Sequence, residues 1–403
     1  MIDVYWGEFL VSPAPLEMSL NYCSHKCAYC FANLNLPNRT ANPKAIMSLL
    51  QNYKERKTLT ARLLQEGYPV VVSNRTDPFC TSNYQTAVPI LRTMVELGIP
   101  IVMQTKGGKG IDEVLDFLPP SVWYISVSFD DDALRRKLEP GAPTIESRFE
   151  LMRQLTQRGH HVTLGLNPCV PEWLPDPMPV LKKAQAAGAT GAWIETLHMN
   201  RDQEANLTDR ERKAITQPLI DRAKKRVKDC RDLEHFFRAR DQAQSIGLEV
   251  FSVGQPNRSN YFDVYRACYP KLFPTMQSFV NACHDKVEPR KDAIGFSAFA
   301  DLMTPDLPRG ILDIGHYIGA TAHNIYQDVK ISNLMTYRQL LELIWKERRT
   351  KQCPARMPCF AFAGIDEGDG WVELTDDDEL PYLVFSEQNL DGYYVELQTD
   401  SPV

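Results

Sequence analysis

The chain lacks the features that mark several large classes of protein. Its 403 residues contain no uninterrupted apolar run of about 18 residues, the length that a membrane-spanning helix needs. The N-terminal segment has no basic start followed by an apolar stretch, so we expect no secretion signal. Positive charge is not in excess, because 45 Lys and Arg stand against 51 Asp and Glu and give a net charge of -6. A nucleic-acid partner would therefore need a local basic groove.

The composition is that of a globular protein with a large core. Hydrophobic residues make up 43% and charged residues 24% of the chain, which excludes a disordered or fibrous chain. The length predicts about two domains. No glycine-rich dinucleotide fingerprint follows the first candidate strand, which disfavours a flat, doubly wound sheet.

Short apolar runs alternate with amphipathic stretches over the first half of the chain. The candidate strands, rich in Val, Ile and aromatic residues, are Leu16–Leu20, Val70–Ser73, Ile99–Gln104, Val122–Ser128, Val162–Leu166 and Ala192–Leu197. The candidate helices between them, most of them ended by glycine, are Asn42–Gln65, Ser82–Leu97, Thr144–Arg158 and Pro179–Ala187. Six such repeats predict an α/β fold whose parallel sheet curls into a partial (β/α)6 TIM-like barrel.

The rhythm changes in the second half. Thr208–Gly247 is helical in pattern and strongly charged, and Leu248–Val253 is one more candidate strand. We expect a barrel domain over 1–254 with a helical insertion at about 205–247, followed by a C-terminal α+β extension over 255–403. Within the extension the expected elements are a helix over Met335–Arg349 and strands over Tyr382–Phe385 and Tyr393–Leu397.

Three of the ten cysteines lie close together, directly after the first candidate strand. Cys23, Cys27 and Cys30 have the spacing C-x3-C-x2-C. Because no export signal is expected, the compartment is reducing and a disulfide framework is disfavoured. Three thiolates can hold three irons of a four-iron cluster and leave the fourth iron open to a small molecule. A zinc site that includes His25, or a chance cluster, is the alternative.

The triplet, with Tyr29 before its third cysteine, is similar to the signature of radical S-adenosylmethionine (SAM) enzymes. The resemblance implies a [4Fe-4S] cluster on Cys23, Cys27 and Cys30, with S-adenosylmethionine chelated by the open iron. It implies cleavage of that cofactor to a 5'-deoxyadenosyl radical, which abstracts hydrogen from a substrate. It also implies a partial barrel over about residues 14–200 and a reductant such as flavodoxin or ferredoxin.

Further segments at strand ends resemble the spore photoproduct lyase branch of that superfamily. In chain order they are Thr76-Asp-Pro78, Thr105-Lys106, Ser126-Val-Ser-Phe-Asp130, Glu139-Pro-Gly-Ala-Pro143 and Pro168-Cys-Val-Pro171. One departure is that Ser73–Asp77 replaces the Gly-Gly-Glu segment that other radical enzymes carry after the second strand. The resemblance fades beyond about residue 200.

Polar side chains at the strand ends are expected to face the mouth of the barrel, where active sites of this architecture collect. Lys106 and Arg148 are candidates for the methionyl carboxylate, and Ser126 and Ser128 for the ribose, because alternate residues of a strand share one face. The expected cofactor-binding residues are Tyr29, Ser73, Asn74, Thr76, Asp77, Lys106, Ser126, Ser128, Glu139 and Arg148. The alternative for each is a capping or turn role.

The other cysteines leave several interpretations open. Cys169, just past the fifth candidate strand, is the candidate catalytic residue that returns a hydrogen atom to a substrate radical, or else a packed thiol. Cys80 likewise follows a candidate strand, the second, but its support as a hydrogen-atom donor is weaker. An auxiliary cluster, a zinc site or structural thiols are the alternatives for Cys268, Cys283, Cys353 and Cys359. His160 and His161 precede a strand and are expected to be exposed.

Three hypotheses for function follow. The first is a radical SAM enzyme, of isomerase or lyase type, that acts on a modified thymidine in DNA, either in thymidine hypermodification of the phage glycinylthymidine isomerase type or in lyase repair. The second is a radical SAM enzyme acting on a peptide or small metabolite, and the third is a non-catalytic iron–sulfur or zinc protein. The resemblance places the chain in the cytoplasm of a bacterium or of a phage-infected host. Candidate phosphate contacts are Arg222, Lys224, Lys225, Arg226 and Lys228, or Arg348, Arg349 and Lys351.

Overall fold

The computed structural model describes a defined subset of the chain. The described residues are 2–3, 16–20, 22–30, 42–72, 75–197, 199, 204–215, 219–221, 232–251, 263–272, 281–282, 285–287, 293–303, 342, 360–366 and 371–385. The chain divides into one unit of residues 1–2, 15–53 and 67–252 and a second unit of residues 3–14, 54–66 and 253–403. The domain bounds expected from the sequence, 1–254 and 255–403, stay a proposal.

The first unit is built on a sheet whose strand order is the chain order. Its strands are β1 (Ile2–Asp3), β2 (Leu16–Met18), β3 (Val70–Val72), β4 (Ile101–Thr105), β5 (Val122–Ser126), β6 (His161–Leu166), β7 (Gly191–Ile194) and β8 (Glu249–Phe251). From β2 to β8 every neighbouring pair is parallel. The α/β fold class is confirmed, and all six candidate strands, with the further one at Leu248–Val253, are present.

The strand sequences explain this arrangement. Val70–Val72 is buried at each position, and Val71 pairs with Val102 of β4. Continuous β-branched runs suit strands that are covered on both faces, as in a parallel sheet flanked by helices. Because parallel strands all end at the same edge, the loops that follow β2 to β6 are brought together there.

Helices connect the strands. Along the chain they are α1 (Pro43–Asn52), α2 (Leu59–Gln65), α3 (Tyr84–Glu96), α4 (Ile111–Leu115), α5 (Asp132–Leu138), α6 (Ile145–Gln157), α7 (Met178–Ala186), α8 (Asp209–Ala214), α9 (Leu233–Ser245), α10 (Asp263–Arg266) and α11 (Phe296–Met303). No helix among the described residues is long and apolar enough to cross a membrane.

The prediction of a single helix over Asn42–Gln65 is wrong, because a second N-cap residue divides the segment into two helices. Asn42 begins α1 as expected, its side chain accepting hydrogen bonds from the amides of Lys44 and Ala45. After a 3-10 turn over Tyr53–Glu55, Thr58 adopts an extended conformation and caps α2 by accepting from the amide of Ala61. A threonine side chain that satisfies a free amide starts a new helix.

The second unit contains smaller antiparallel sheets. Strands β9 (Ala293–Ile294), β10 (Phe360–Phe362) and β13 (Leu383–Phe385) form one sheet in the order β10-β13-β9. Strands β11 (Gly364–Asp366) and β12 (Trp371–Glu373) pair as the other. The strand expected near Tyr382–Phe385 is present. The elements expected at Met335–Arg349 and Tyr393–Leu397, and both candidate phosphate-binding segments, lie outside the described residues.

His160 corrects a further expectation. It is 6% exposed, whereas its neighbour His161 is exposed as expected. Its Nδ1 accepts a hydrogen bond of 3.1 Å from the amide of Ser121, and its ring lies edge-on to Trp123 at 5.7 Å. Burial, with a smaller contribution from Arg158, lowers the pKa of His160 to about 4.

The pKa of His160 predicts a pH-dependent stability. Because the ordinary value of 6.5 applies to the unfolded chain, the folded state binds fewer protons, and His160 loses its stabilising effect as the pH falls from 6.5 towards 4. We expect the free energy of unfolding of wild type to exceed that of His160→Asn at pH 7. The gap should shrink by about 1–2 kcal/mol at pH 4.5. Urea unfolding measures it, with His161→Asn as control, and a pH-independent gap for His160→Asn would contradict the assignment.

Candidate active site

The cysteine loop, residues 22–30, follows β2 at the edge where the parallel strands end. Cys27 is buried, while Cys23 and Cys30 are partly exposed. Residues 22–30 form turns and contain no strand or helix. The conformation of the loop therefore depends on contacts with other segments. Three such contacts, with the Glu139–Pro143 segment, with Asp77 and with the 80–82 segment, determine where the cysteines lie.

Backbone hydrogen bonds attach the loop to the segment Leu138–Pro143. The amide of Ala28 donates to the carbonyl of Leu138 at 2.8 Å, and the amide of Gly141 donates to the carbonyl of His25 at 3.0 Å. His25 Nδ1 lies 3.0 Å from the carbonyl oxygen of Gly141. A Cβ atom at Gly141 would lie 2.2 Å from the carbonyl oxygen of Ser24, so only glycine permits this approach.

Gly141→Ala should therefore displace the cysteine loop. The clash is with backbone, which cannot rotate away, and we expect a loss of stability of about 1–3 kcal/mol together with weaker iron retention after reconstitution. Denaturant unfolding and iron content per chain measure the two effects. Gly98→Ala is the control, because a Cβ atom there meets nothing within 4 Å although its φ is +70°. Equal iron retention in the two variants would contradict the proposed fit.

Asp77 joins the loop to the ends of β3 and β4. Its Oδ1 accepts from the amide of Phe79 at 2.9 Å and from Thr105 Oγ1 at 2.8 Å. Its Oδ2 accepts from the amide of Lys106 at 2.6 Å and lies 3.2 Å from His25 Nε2. Burial acts to raise the pKa of Asp77, but the pairing with His25 outweighs it and the pKa is lowered.

His25 is the positive partner of this pair. A backbone carbonyl can only accept, so His25 Nδ1 donates its hydrogen to Gly141, and Nε2 faces a carboxylate. The ring satisfies both contacts only when both nitrogens are protonated. Burial acts to lower the pKa of His25, but Asp77 outweighs it and the pKa is raised. Both nitrogens are thus committed to protein groups, which disfavours His25 as a zinc ligand.

Glu139 is itself fully buried and is the centre of a second network. It accepts from the hydroxyl of Tyr29 in the cysteine loop and from Arg148 Nη2, and it lies 3.3 Å from Lys106 Nζ. Burial acts to raise the pKa of Glu139, but Arg148 and then Lys106 lower it to about 2. The carboxylate is therefore ionised at neutral pH and ties the loop to β4 and α6.

Several of the expected cofactor-binding residues meet in these networks. Lys106 Nζ donates to Ser126 Oγ at 2.7 Å, and Arg148 Nη1 donates to the carbonyl of Ser126 at 2.9 Å. Arg148 also donates to the carbonyl of Pro143 and is fully buried, whereas the Lys106 side chain is 15% exposed. Lys106 is thus better placed than Arg148 to reach a bound carboxylate.

The remaining expected residues divide into three groups. Thr76 Oγ1 accepts from the amide of Leu20 and donates to the carbonyl of Leu20, which joins it to the segment after β2, and its cofactor-binding role stays a prediction. Ser73 and Asn74 lie outside the described residues. Ser128 is fully buried, and its hydroxyl has no hydrogen-bond partner among the described residues. A buried hydroxyl without a partner is costly, which suits a group that contacts a bound molecule.

An aromatic cluster beside the loop was not predicted from the sequence. Trp173 lies with its ring centroid 5.4 Å from that of Tyr29 and 5.8 Å from that of Phe129. It is 1% exposed, and its indole Nε1 has no partner among the described residues. Trp173 follows the Pro168–Pro171 segment by two residues, and this proximity to a strand end is the signal that could have indicated it.

Cys169 is a buried thiol directly after β6. Its amide donates to the carbonyl of Glu195 at 2.6 Å. Burial raises the pKa of Cys169 to about 12, so the sulfur keeps its hydrogen at neutral pH. A hydrogen-atom donor requires that protonated form. Its catalytic role stays a prediction.

The donor set of the loop fits a [4Fe-4S] cluster in its chemistry. Three thiols lie in one loop that also carries a buried, paired imidazolium, and the hydroxyl of Ser128, just after β5, has no hydrogen-bond partner among the described residues. Within the described residues, however, no three His, Cys, Asp or Glu side chains are gathered as a metal-binding group. The side chain of Cys23 instead interacts with that of Cys80. Cys283, Cys353 and Cys359 lie outside the described residues, so the auxiliary site stays a prediction.

Comparison with known proteins gives relatives of partial length. No family model matches the chain. It is 29% identical over 158 residues to a radical SAM Nα-GlyT isomerase of Pseudomonas phage M6, covering 37% of this chain and 32% of the relative. It is 27% identical over 194 residues to an uncharacterised protein of Mycobacterium tuberculosis, covering 44% of this chain and 56% of that protein. The matches thus span about half or less of these relatives' lengths.

Solved structures include spore photoproduct lyase complexed with a dinucleoside spore photoproduct. That chain matches with a TM-score of 0.45 and 14% identity, over 60% of this chain and 77% of its own. The superfamily recognised from the motifs is the one named in the phage relative. The cysteine triplet, the parallel α/β sheet and the phage relative all agree with it.

Proposed function

With membership of the radical SAM superfamily as the premise, we propose that the chain is an enzyme that abstracts hydrogen from a modified thymidine in DNA. The observation that carries the enzymatic part is the attachment of the cysteine loop to the strand ends by Asp77 and Glu139. The substrate part is supported by the likeness to the phage isomerase, whose name specifies a thymidine bearing a glycine.

Each of the site residues has a different role in this proposed function. Cys23, Cys27 and Cys30 would hold the [4Fe-4S] cluster. The cluster with S-adenosylmethionine supplies one electron and a carbon radical that abstracts hydrogen. Lys106 offers an ammonium to the cofactor carboxylate, and the unpartnered Ser128 hydroxyl offers a hydrogen bond beside it. Cys169, kept protonated by burial, would return a hydrogen atom to the substrate carbon.

Label transfer tests the substrate. The substrate is DNA that contains a glycine-bearing thymidine, deuterated on the glycine carbon of the 5-substituent. It is incubated with the reconstituted enzyme, S-adenosylmethionine and a reductant. We expect deuterium in 5'-deoxyadenosine, because ring positions have stronger C–H bonds than a carbon that lies between nitrogen and a carboxyl group. Mass spectrometry of 5'-deoxyadenosine measures it. Unmodified DNA is the control and should transfer none.

Cys169→Ala separates abstraction from hydrogen return. If Cys169 donates the hydrogen atom, the variant should still pass deuterium into 5'-deoxyadenosine while the yield of rearranged DNA falls. Unchanged product yield would remove Cys169 from the reaction and leave the abstraction step standing.

The alternative substrate classes give different results in the same assay. If no modified DNA transfers label while a free peptide or metabolite does, the DNA substrate is wrong and the second hypothesis replaces it. Binding to DNA over a salt series adds an independent readout, since phosphate contacts weaken steeply with salt. Salt-independent binding would argue against a DNA groove.

A further inference from the structure

We propose that Cys80 is the redox partner of Cys23: without a cluster, the two thiols form a reversible disulfide that keeps this ligand in a protected, inactive form. The inference rests on the proposed function only in that Cys23 is taken as a cluster ligand. Cys80 lies between β3 and α3, far from the cysteine triplet in sequence. No motif discussed above requires a thiol at this position.

Two segments are fixed against each other at this point. The amide of Ser24 donates to Ser82 Oγ at 3.2 Å, and the amide of Ser82 donates to Ser24 Oγ at 3.2 Å. Ser82 Oγ donates in turn to the carbonyl of Tyr22 at 2.7 Å. The residues on either side of Cys23 are thereby attached to a residue two positions from Cys80.

Within this frame Cys23 and Cys80 are neighbours whose side chains interact. Cys80 Sγ lies 3.2 Å from Ser82 Oγ, the same oxygen that contacts the backbone on both sides of Cys23. The carbonyl of Cys80 accepts from the amides of Asn83 and Tyr84 at the start of α3, which holds the Cys80 backbone in place. Oxidation then requires these two neighbouring sulfurs to approach each other to a bond of about 2.05 Å.

The different burial of the two thiols sets the order of steps. Cys23 is partly exposed, whereas Cys80 is 1% exposed. The Cys23 sulfur attacks a small disulfide, RSSR, forming a mixed disulfide and releasing one RSH. The Cys80 sulfur then attacks the Cys23 sulfur, forming the Cys23–Cys80 bond and releasing the second RSH. The two protein thiols lose two electrons and two protons, and the small disulfide gains them.

The disulfide and the cluster exclude each other. Cluster ligation needs the Cys23 sulfur as an anionic thiolate bound to iron, whereas in the disulfide that sulfur is uncharged and bonded to the Cys80 sulfur. The Cys27 side chain is buried and interacts with Glu139 and Lys106, whereas the Cys23 side chain interacts with Cys80; Cys23 is therefore the ligand that we pair with Cys80. In a cluster-free chain the disulfide would thus protect the Cys23 sulfur from further oxidation until a thiol reductant restores the free thiol.

Peptide mapping tests the inference directly. Cluster-free chain, reduced and then treated with oxidised glutathione without oxygen, is alkylated and cut with trypsin. Cleavage after Lys26, Arg39, Arg75 and Arg92 leaves Cys23, the Cys27–Cys30 pair and Cys80 on three separate peptides, 1–26, 27–39 and 76–92. We expect peptides 1–26 and 76–92 to be recovered as one disulfide-linked species, with the loss of two titratable thiols per chain. Dithiothreitol should restore both thiols and the capacity to take up iron.

Matched variants decide between outcomes. Cys80→Ser should accumulate glutathione on Cys23, because the resolving thiol is gone, whereas Cys268→Ser should form the same link as wild type. Linkage of peptides 1–26 and 27–39 instead, or an unchanged link in chain that carries an intact cluster, would overturn the inference. Iron binding without any Cys23–Cys80 link would reject the inference and leave the proposed function standing. A link in a chain that never binds iron would reject the proposed function, and with it the protective role.

Discussion

Replacing Cys23, Cys27 and Cys30 together by Ala should give a folded chain that forms no 5'-deoxyadenosine. The wild type, reconstituted without oxygen, should hold about four irons per chain, or more if an auxiliary site exists. Since the described residues offer no second set of three thiols near the loop, the variant should lose those irons and all cofactor cleavage. Iron analysis and chromatographic detection of 5'-deoxyadenosine measure both effects.

The fold should survive this substitution. The loop is attached by the amides of Ala28 and Gly141 and by the side chain of His25, none of which uses a thiol. Circular dichroism and the unfolding midpoint should stay close to wild type, with Cys268→Ala as the control for loss of an unrelated thiol. Retained cofactor cleavage by the triple variant would refute the radical SAM mechanism for this chain.

Glu139→Gln should be the most destabilising single substitution of the site. The carboxylate is fully buried and compensates Arg148 and Lys106 together. Removing its charge leaves a buried guanidinium and an ammonium unpaired, and breaking such a pair costs about 3–5 kcal/mol. Glu150→Gln is the matched control, because Glu150 forms an exposed ion pair with Arg153 and should change the unfolding midpoint little.

The pH dependence of the Glu139 effect has a definite sign. Its pKa of about 2 lies below the ordinary 4.5, so its stabilisation is complete above pH 4.5 and is lost as the pH falls towards 2. The gap in unfolding free energy between wild type and Glu139→Gln should therefore be constant from pH 7 to 5 and narrow below that. A gap that is small at pH 7, or that grows in acid, would show that Glu139 is not ionised in the folded chain.

The sheet could be predicted because its signal is local. Runs such as Val70–Val72 and Val122–Ser126 are apolar and β-branched, and a glycine ends most helices that precede them. The break between α1 and α2 was missed because Thr58 is one cap among many polar residues, and only its extended backbone makes it a helix start. His160 was expected at the surface because nothing local shows that Ser121 and Trp123 enclose it.

The cysteine triplet was predictable for the same reason: its spacing lies within a few residues. The contacts that position it were not, because each joins distant parts of the chain. Asp77 and Glu139 are among the expected cofactor-binding residues, but their partners in the structure include His25, Thr105, Tyr29 and Arg148. No pattern in the sequence predicts that Cys80 lies beside Cys23, since the side chains meet only after the strands have paired.

The agreement between strand order and chain order has a consequence for synthesis on the ribosome. Each strand of the main sheet can dock onto its predecessor as it emerges, so the sheet can grow in one direction during translation. The proposed iron ligands are then made early, whereas Glu139, which accepts a hydrogen bond from Tyr29 across a separation of 110 residues, is made much later. A nascent chain released before α6 would present three thiols on an unsupported loop. Iron delivery is therefore expected to follow completion of the barrel rather than accompany it.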